Sequence, residues 1–206
     1  MKRFVARCVL VLALLAAAGT AAGQAVPADG DLVFQSMASS PQGKAIQLAT
    51  GSPYSHMGMI FIRDRKYFVL EAVGPVRYTP LRAWIAQGEG GRYVIRRLRN
   101  ARRILTPKAV EKLKREAGRY LGKPYDHYFG WSDERIYCSE LVWKIYRNAL
   151  GIEIGKPAKL REFDLSHPLV RAKLKELYGD NVPLDEPVIS PGEMFRSGLL
   201  ETVASR

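Results

Sequence analysis

Tyr137-Cys138-Ser139-Glu140-Leu141-Val142 is the stretch on which the reading of this chain turns. A loop rich in aromatic residues, Lys123 to Tyr137, runs here into a strongly apolar helical pattern, Ser139 to Leu150, which Gly151 ends. A cysteine at such a junction meets the first backbone N–H groups of a helix, which lack intrahelical acceptors, and the positive end of the helix dipole. Both stabilise a thiolate. The same N–H groups can receive the oxyanion that forms during acyl transfer. A cysteine kept only for packing would sit more comfortably a turn or two further in.

The rest of the sequence leaves this thiol alone. The chain has 206 residues and two cysteines, Cys8 and Cys138. Residues 1–23 read as a secretory signal peptide. Lys2, Arg3 and Arg7 form a positive start, Val9 to Ala18 an apolar core, and Ala21-Ala22-Gly23 a cleavage site. The apolar run is short for a membrane span, which needs ~20 residues. Cys8 precedes that core, so it is not placed like a lipoprotein acylation cysteine. The expected product is one exported domain, residues 24–206, periplasmic or secreted. Cleavage removes three basic residues and no acid, taking the net charge from +12 to +9. It also leaves Cys138 as the sole thiol. In an oxidising compartment such a thiol is either buried and inert or kept for its chemistry, and the junction argues for chemistry.

Composition narrows the class. With 47% hydrophobic and 25% charged residues the chain is an ordinary globular protein. Two cysteines exclude a disulfide framework. A single long apolar run, at the N-terminus, excludes a polytopic membrane protein.

A cysteine nucleophile needs a base, and the base needs an orienting partner. There are three histidines. His167 precedes Pro168 in a polar stretch and reads as a helix-start or surface residue. His127 follows Tyr125-Asp126, among turn residues. His56 opens the strand pattern His56–Ile62, a rigid mount, and is the preferred base. That strand and Tyr67–Val73 read as a β-hairpin around Arg63-Asp64-Arg65-Lys66. With a two-residue loop at Arg63-Asp64, His56 faces Glu71. With a four-residue loop, Glu71 is its diagonal neighbour on the same face. Glu71 is the only acid in its apolar strand and is costly there unless paired. Cys138, His56 and Glu71 therefore form a candidate nucleophile, base and orienter.

The remaining pattern is α+β. Asp31–Gln35 and Arg92–Leu98 read as strands. Ser40-Pro41, Thr79-Pro80 and Thr106-Pro107 read as helix starts. The last of these helices carries Val110, Leu113, Ala117, Tyr120 and Leu121 on one face, with Gly122 as its end. Another amphipathic helix covers Leu169–Tyr178, followed by a Pro-punctuated tail.

These motifs resemble a known family. Gly122-Lys123-Pro124-Tyr125-Asp126 followed by Tyr137-Cys138-Ser139-Glu140-Leu141-Val142 resembles the G-x-P-Y…C-S-x-L-V run of NlpC-type papain-fold cysteine hydrolases. Asp29-Gly30-Asp31-Leu32-Val33-Phe34 resembles their G-D-L-V-F strand, and Ser55-His56-Met57-Gly58 their S-H-x-G strand. The order here is His, acid, Cys, where ordinary members run Cys then His. That permutation, with Glu as third residue, resembles the YaeF/YiiX-like permuted papain-like amidases, across nearly all of the chain after the leader. The resemblance implies a circularly permuted papain-like fold, with an antiparallel sheet bearing His56 and Glu71 packed on the helix bearing Cys138. It also implies thiol-based hydrolysis of an amide, peptide or related acyl bond, without metal or cofactor. Tyr125 matches the family's active-site tyrosine, which shapes the pocket or oxyanion site. Tyr54 is a candidate pocket residue, or else a packed loop aromatic. Glu140 stands where many ordinary members have Gly. It is a candidate contact for a cationic substrate group, or else a solvent-facing acid at the helix start.

The leading expectation is an amidase or peptidase acting on cell-envelope peptides. A thiol-dependent lipid acyl hydrolase or acyltransferase is the alternative, and a catalytically silent binding module on the same fold is a third. An apolar slot beside Cys138 favours lipid; a polar cleft with anchors for an amino group and a carboxylate favours peptide. The arginines between Arg92 and Arg103 suggest contact with an anionic surface, such as lipid headgroups or cell-wall carboxylates, while nucleic acid is not an expected partner of an exported protein.

Overall fold

Two antiparallel strands, β2 (His56–Arg63) and β3 (Lys66–Glu71), meet at Asp64 and Arg65, whose φ angles are 49° and 58°. A two-residue turn with both φ values positive matches the right-handed twist of a hairpin. The register pairs Met59 with Leu70 and Arg63 with Lys66. The turn thus falls one residue later than Arg63-Asp64, and the register is the one expected of the longer loop. Continued, it sets Glu71 across from Gly58 and diagonal to His56. At Gly58 a Cβ would lie 2.3 Å from Val69 Cγ1 and 2.7 Å from the Leu70 carbonyl oxygen. A glycine two residues after His56 is what lets the two strands close at this point.

The computed structural model describes residues 25–206; the expected signal peptide, with Cys8, lies outside the described residues. Around the hairpin the sheet grows to six antiparallel strands in the order β4-β3-β2-β1-β5-β8. β1 is Leu32–Gln35, β4 Arg77–Pro80, β5 Val94–Leu98 and β8 Leu200–Ser205. The edge strands β4 and β8 depart from the sequence reading. β4 ends on the Thr79-Pro80 pair read as a helix start, because an edge strand tolerates proline; α2 (Leu81–Gln87) follows at once with Pro80 as its cap. β8 lies in the tail read as irregular, and pairs with a strand about a hundred residues away in sequence, a contact no local pattern announces.

Alternation along the central strands splits the core in two. Leu32, Phe34, Met57, Met59 and Phe61 face one layer, and Val33, Ile60, Val69 and Ile95 the other. The first layer is covered by α4 (Pro107–Gly118) and α5 (Cys138–Leu150), with Leu113, Leu141, Val142 and Ile145 buried against the sheet. Each such side chain contributes roughly 1.5–3 kcal/mol of burial. Trp84 of α2 covers the second layer. Ser40 accepts from Gly43 N–H to cap α1 (Pro41–Thr50), and Thr106 accepts from Ala109 N–H to cap α4, as the Ser-Pro and Thr-Pro pairs predict. α4 ends before Tyr120 and Leu121; Tyr120 is still buried, whereas Leu121 is exposed.

A short α3 (Ala101–Ile104) precedes α4. After α5 come β6 (Ala158–Lys159), α6 (Pro168–Tyr178), β7 (Pro187–Val188) and α7 (Pro191–Arg196). β6 and β7 pair with each other, and α6 packs on α1. Among the described residues no helix is long and apolar enough to cross a membrane.

Part of the arginine-rich segment is internal. Arg97 Nε and Nη2 donate to the two oxygens of the fully buried Asp31, both at 2.7 Å, tying β5 to β1. Arg96 donates to the carbonyls of Phe195 and Leu200, and Arg99 to that of Gly198.

Candidate active site

Cys138 is the first residue of α5 and is 3% exposed. Tyr137 caps the helix, and its hydroxyl accepts from Ile189 N–H at 3.1 Å. This puts the thiol at the free N–H end that its sequence context predicts. Among the described residues it is the only free cysteine.

His56 lies at the start of β2, opposite Gln35 of β1. Its position is fixed from several sides. Ser55 N–H donates to the Gln35 carbonyl, and Ser55 Oγ accepts from Met37 N–H at 2.9 Å. The Trp84 ring stacks on the imidazole with centroids 5.7 Å apart. His56 Nε2 is 2.8 Å from Glu71 Oε2. Cys138 is the ring's other polar neighbour, and its sulfur favours the charged imidazole. Since Glu71 occupies Nε2, Nδ1 is the nitrogen left for sulfur. The three residues singled out from sequence are therefore brought together around one imidazole.

Electrostatics follow from that contact. Burial disfavours the charged ring, but Cys138 and the hydrogen-bonded Glu71, with their negative charge, outweigh it and raise His56 to about 9. Burial would likewise raise the Glu71 carboxyl; the bond and charge of His56, aided by Thr79 and Arg77, hold it below its ordinary value. Thr79 Oγ1 donates to Glu71 Oε1 at 2.6 Å. Thr79 and Trp84 were not singled out from the sequence as site residues. Each touches the triad only because β4 and α2 fold back along β3.

The Tyr125 loop is a built structure. Gly122 (φ 81°) donates to the Val76 carbonyl, and Val76 N–H donates to that of Lys123. Asp126 is buried and accepts from the N–H groups of Tyr128 and Gly130, at 2.9 and 2.8 Å. Tyr125 forms a bridge with Ile136. Its hydroxyl is pushed well above the ordinary phenol value by burial first, then by the charges of Cys138 and Asp126. The hydroxyl accepts from Gln42 Nε2 at 3.5 Å, at the border of the two open spaces.

Two other candidates lie elsewhere. Tyr54 packs between Phe34 and Phe195, with ring centroids at 5.9 and 4.3 Å, as a core-facing loop aromatic. Glu140 neither faces solvent nor lines the open space beside Cys138: it is fully buried. Its Oε2 accepts from Tyr137 N–H at 3.4 Å, and its Oε1 lies 2.8 Å from Lys144 Nζ. A glutamate at the third position of a helix folds back to cap it, and a lysine one turn on neutralises it. Burial raises Glu140 to about 7 against the pull of Lys144. Lys144 also reaches Asp133 Oδ1 at 2.8 Å, so the pair ties α5 to the Tyr125 loop. Of the other histidines, His167 caps α6 through Nδ1, and His127 lies against the Tyr125 ring, centroids 4.9 Å apart.

Two open spaces flank the thiol–imidazole pair. Cys138 and Ser139 line a pocket walled by Ile46, Phe129, Leu160, Val170, Leu174 and Leu177, from α1, the Tyr125 loop and the C-terminal segment. His56 lines a second groove with Tyr125, Val73, Ser40 and His127. Gln42, Ile46 and Lys173 border both.

A family described as "Permuted papain-like amidase enzyme, YaeF/YiiX, C92 family" matches residues 26–204. The chain is 55% identical over 195 residues to the uncharacterized protein YiiX of Escherichia coli (strain K12), covering 95% of this chain and 94% of that one. A solved structure, described as that of the metalloprotein yiiX from Escherichia coli O157:H7, superposes with a TM-score of 0.84. Its identity is 57%, and the match covers 87% of this chain and 98% of that one. Among the described residues here, no three His, Cys, Asp or Glu side chains converge in a way that could hold a metal ion. Fold, motif order and similarity agree: the chain belongs to the YaeF/YiiX family of permuted papain-like amidases.

Proposed function

We propose that this protein is an exported cysteine hydrolase that cleaves an amide between a long apolar acyl group and an amine, using Cys138, His56 and Glu71. The observation that carries this reading is the apolar pocket opening on Cys138. A lipid-like chain there loses contact with water, and an acyl carbon at its end lies next to sulfur.

The chemistry follows from the contacts. The Cys138 thiolate attacks the acyl carbon, and the carbonyl electrons move to oxygen. On this reading the free N–H groups at the start of α5 and the Tyr125 hydroxyl donate to that oxyanion. As the oxyanion collapses, the C–N bond breaks. Its electron pair stays on nitrogen, which takes the proton carried by His56. Neutral His56 then removes a proton from water, and the resulting hydroxide attacks the thioester. The products are a carboxylic acid and the restored thiolate–imidazolium pair. Glu71 fixes the ring orientation and stabilises its charged form.

The cell-envelope peptide reading has less support. Among the described residues no carboxylate lines either open space, so a substrate amino group would find no charged partner there. The decisive measurement is kcat/KM for N-acyl amines of one amine and increasing acyl length. A rise of about tenfold or more from acetyl to palmitoyl, with a Cys138-linked acyl group trapped by mass spectrometry, is the expected result. Equal rates at all lengths, or turnover that survives Cys138→Ala, overturns it.

A further inference from the structure

The two spaces beside the thiol divide the substrate. The nucleophile must contact the acyl carbon, and the pocket that Cys138 lines is apolar. The leaving nitrogen must take its proton from His56, and the groove that His56 lines is the other space. The acyl part and the leaving group therefore lie on opposite sides of the ridge formed by Gln42, Ile46 and Lys173.

The groove's charge is one-sided. Besides His56 its ionisable side chains are Lys173, His127 and Tyr125, whose phenol burial keeps protonated, and no carboxylate lines it. Lys173 comes from α6, which packs on α1, so its backbone is held by helix packing. Its Nζ donates to Glu176 at 2.7 Å, but that carboxylate is 65% exposed and lies outside the groove. An exposed pair of this kind is weak and readily exchanged for another anion. His127 is steadied by the Tyr125 ring, on the same side as the scissile nitrogen.

We propose that Lys173, with His127, selects an amine leaving group that carries an anion close to the scissile nitrogen. The substrate class is an N-acylated amine bearing a carboxylate or a phosphate, in which the apolar tail fills one space and the anion meets Lys173 in the other. The inference rests on the acyl-hydrolase reading for the tail, and adds the identity of the leaving group. When the amide breaks, the amine departs into the groove with the proton from His56, and its anion stays paired with Lys173 until release.

The test uses mature protein and four palmitoyl amides that differ only beyond nitrogen. These are the glycine amide (carboxylate), the phosphoethanolamine amide (phosphate), the ethanolamine amide (neutral) and the ethylenediamine amide (cationic). The expected result is a kcat/KM at least about tenfold higher for an anionic member than for the neutral one. Lys173→Met should abolish that ratio, and Lys173→Glu should reverse it toward the cationic member, a change that loss of packing alone does not produce. The two anionic arms tell carboxylate from phosphate. No anionic preference in wild type, or a preference that survives Lys173→Met, overturns the proposal while leaving the acyl-hydrolase reading intact. If none of the four is hydrolysed, the acyl reading fails, and the charge claim is still decided by alkylation of Cys138. The ratio of iodoacetate to iodoacetamide rate constants should fall several-fold in Lys173→Met, and an unchanged ratio overturns it.

Discussion

His56 Nε2 and Glu71 Oε2 lie 2.8 Å apart although the two residues are diagonal, not opposite, in the sheet. The residue across from Glu71 is Gly58, which has no side chain to intervene, so the carboxylate reaches along the face to the imidazole. The acid is also held from behind by Thr79. Strand register, a glycine and an edge-strand hydroxyl together set the orientation of the base.

Glu71→Gln should move the alkaline limb of activity. His56 is protonated below about 9 in the folded chain, where Glu71 and Cys138 supply negative charge. Proton delivery to the leaving group is present below that value and is lost as pH rises through it. Removing the Glu71 charge lowers the value toward the ordinary 6.5, so the limb shifts to lower pH. At pH 8 loss of the protonated ring alone should lower kcat/KM by up to roughly 30-fold. A pH profile of kcat/KM from 5 to 10 checks this, and an unmoved limb would exclude Glu71 from the pair.

Thr79→Val removes the donor to Glu71 Oε1 without changing side-chain shape much. Both partners are buried. The carboxylate oxygen then has no replacement donor, which costs roughly 1–3 kcal/mol in urea unfolding. The pH limb should shift in the same direction as in Glu71→Gln, and by less.

Arg97→Ala should be among the most damaging changes far from the site. It strands the Asp31 carboxylate, fully buried, with only Ala28 N–H as donor. Breaking a buried pair by deleting one partner costs about 3–5 kcal/mol. Thermal or urea unfolding measures it. A loss below 1 kcal/mol, about what an exposed pair contributes, would contradict the assigned burial.

Glu140→Gln should flatten a pH dependence of stability. The folded value of Glu140 is about 7 against an ordinary 4.5. Between those limits the folded chain holds a proton that the unfolded chain has released. This group's contribution is therefore greatest at low pH and declines as pH rises through the window, by at most roughly 3 kcal/mol. Unfolding of wild type and Glu140→Gln from pH 4 to 8 gives the comparison. The two curves should converge at the acid end and separate toward neutrality, with the variant the less pH-sensitive.

Much of the scaffold is written locally. Ser40-Pro41 and Thr106-Pro107 start helices because a hydroxyl cap and a fixed proline φ act within one turn of chain. Cys138 falls at a helix start because the apolar periodicity begins immediately after it. Glu71 stands out because an acid in an apolar strand has to find a partner. The hairpin limits were legible but its turn was not, since Asp64-Arg65 lacks the Asn-Gly or Asp-Gly signature of its turn type.

The sequence by itself determined the central strands and the main helices, the permuted order of His56, Glu71 and Cys138, and the family to which they belong. Tertiary structure decided what those residues meet. It bent Glu140 back onto the helix start and buried it with Lys144. It set Thr79 behind Glu71, and packed Tyr54 against Phe34 and Phe195. It also brought α6 across α1, so that Leu174 walls one space beside the thiol and Lys173 borders both. Caps and periodicity act over a few residues and are visible in a string. Register, edge pairing and pocket walls join segments tens to a hundred residues apart, and their energy exists only once the layers have closed.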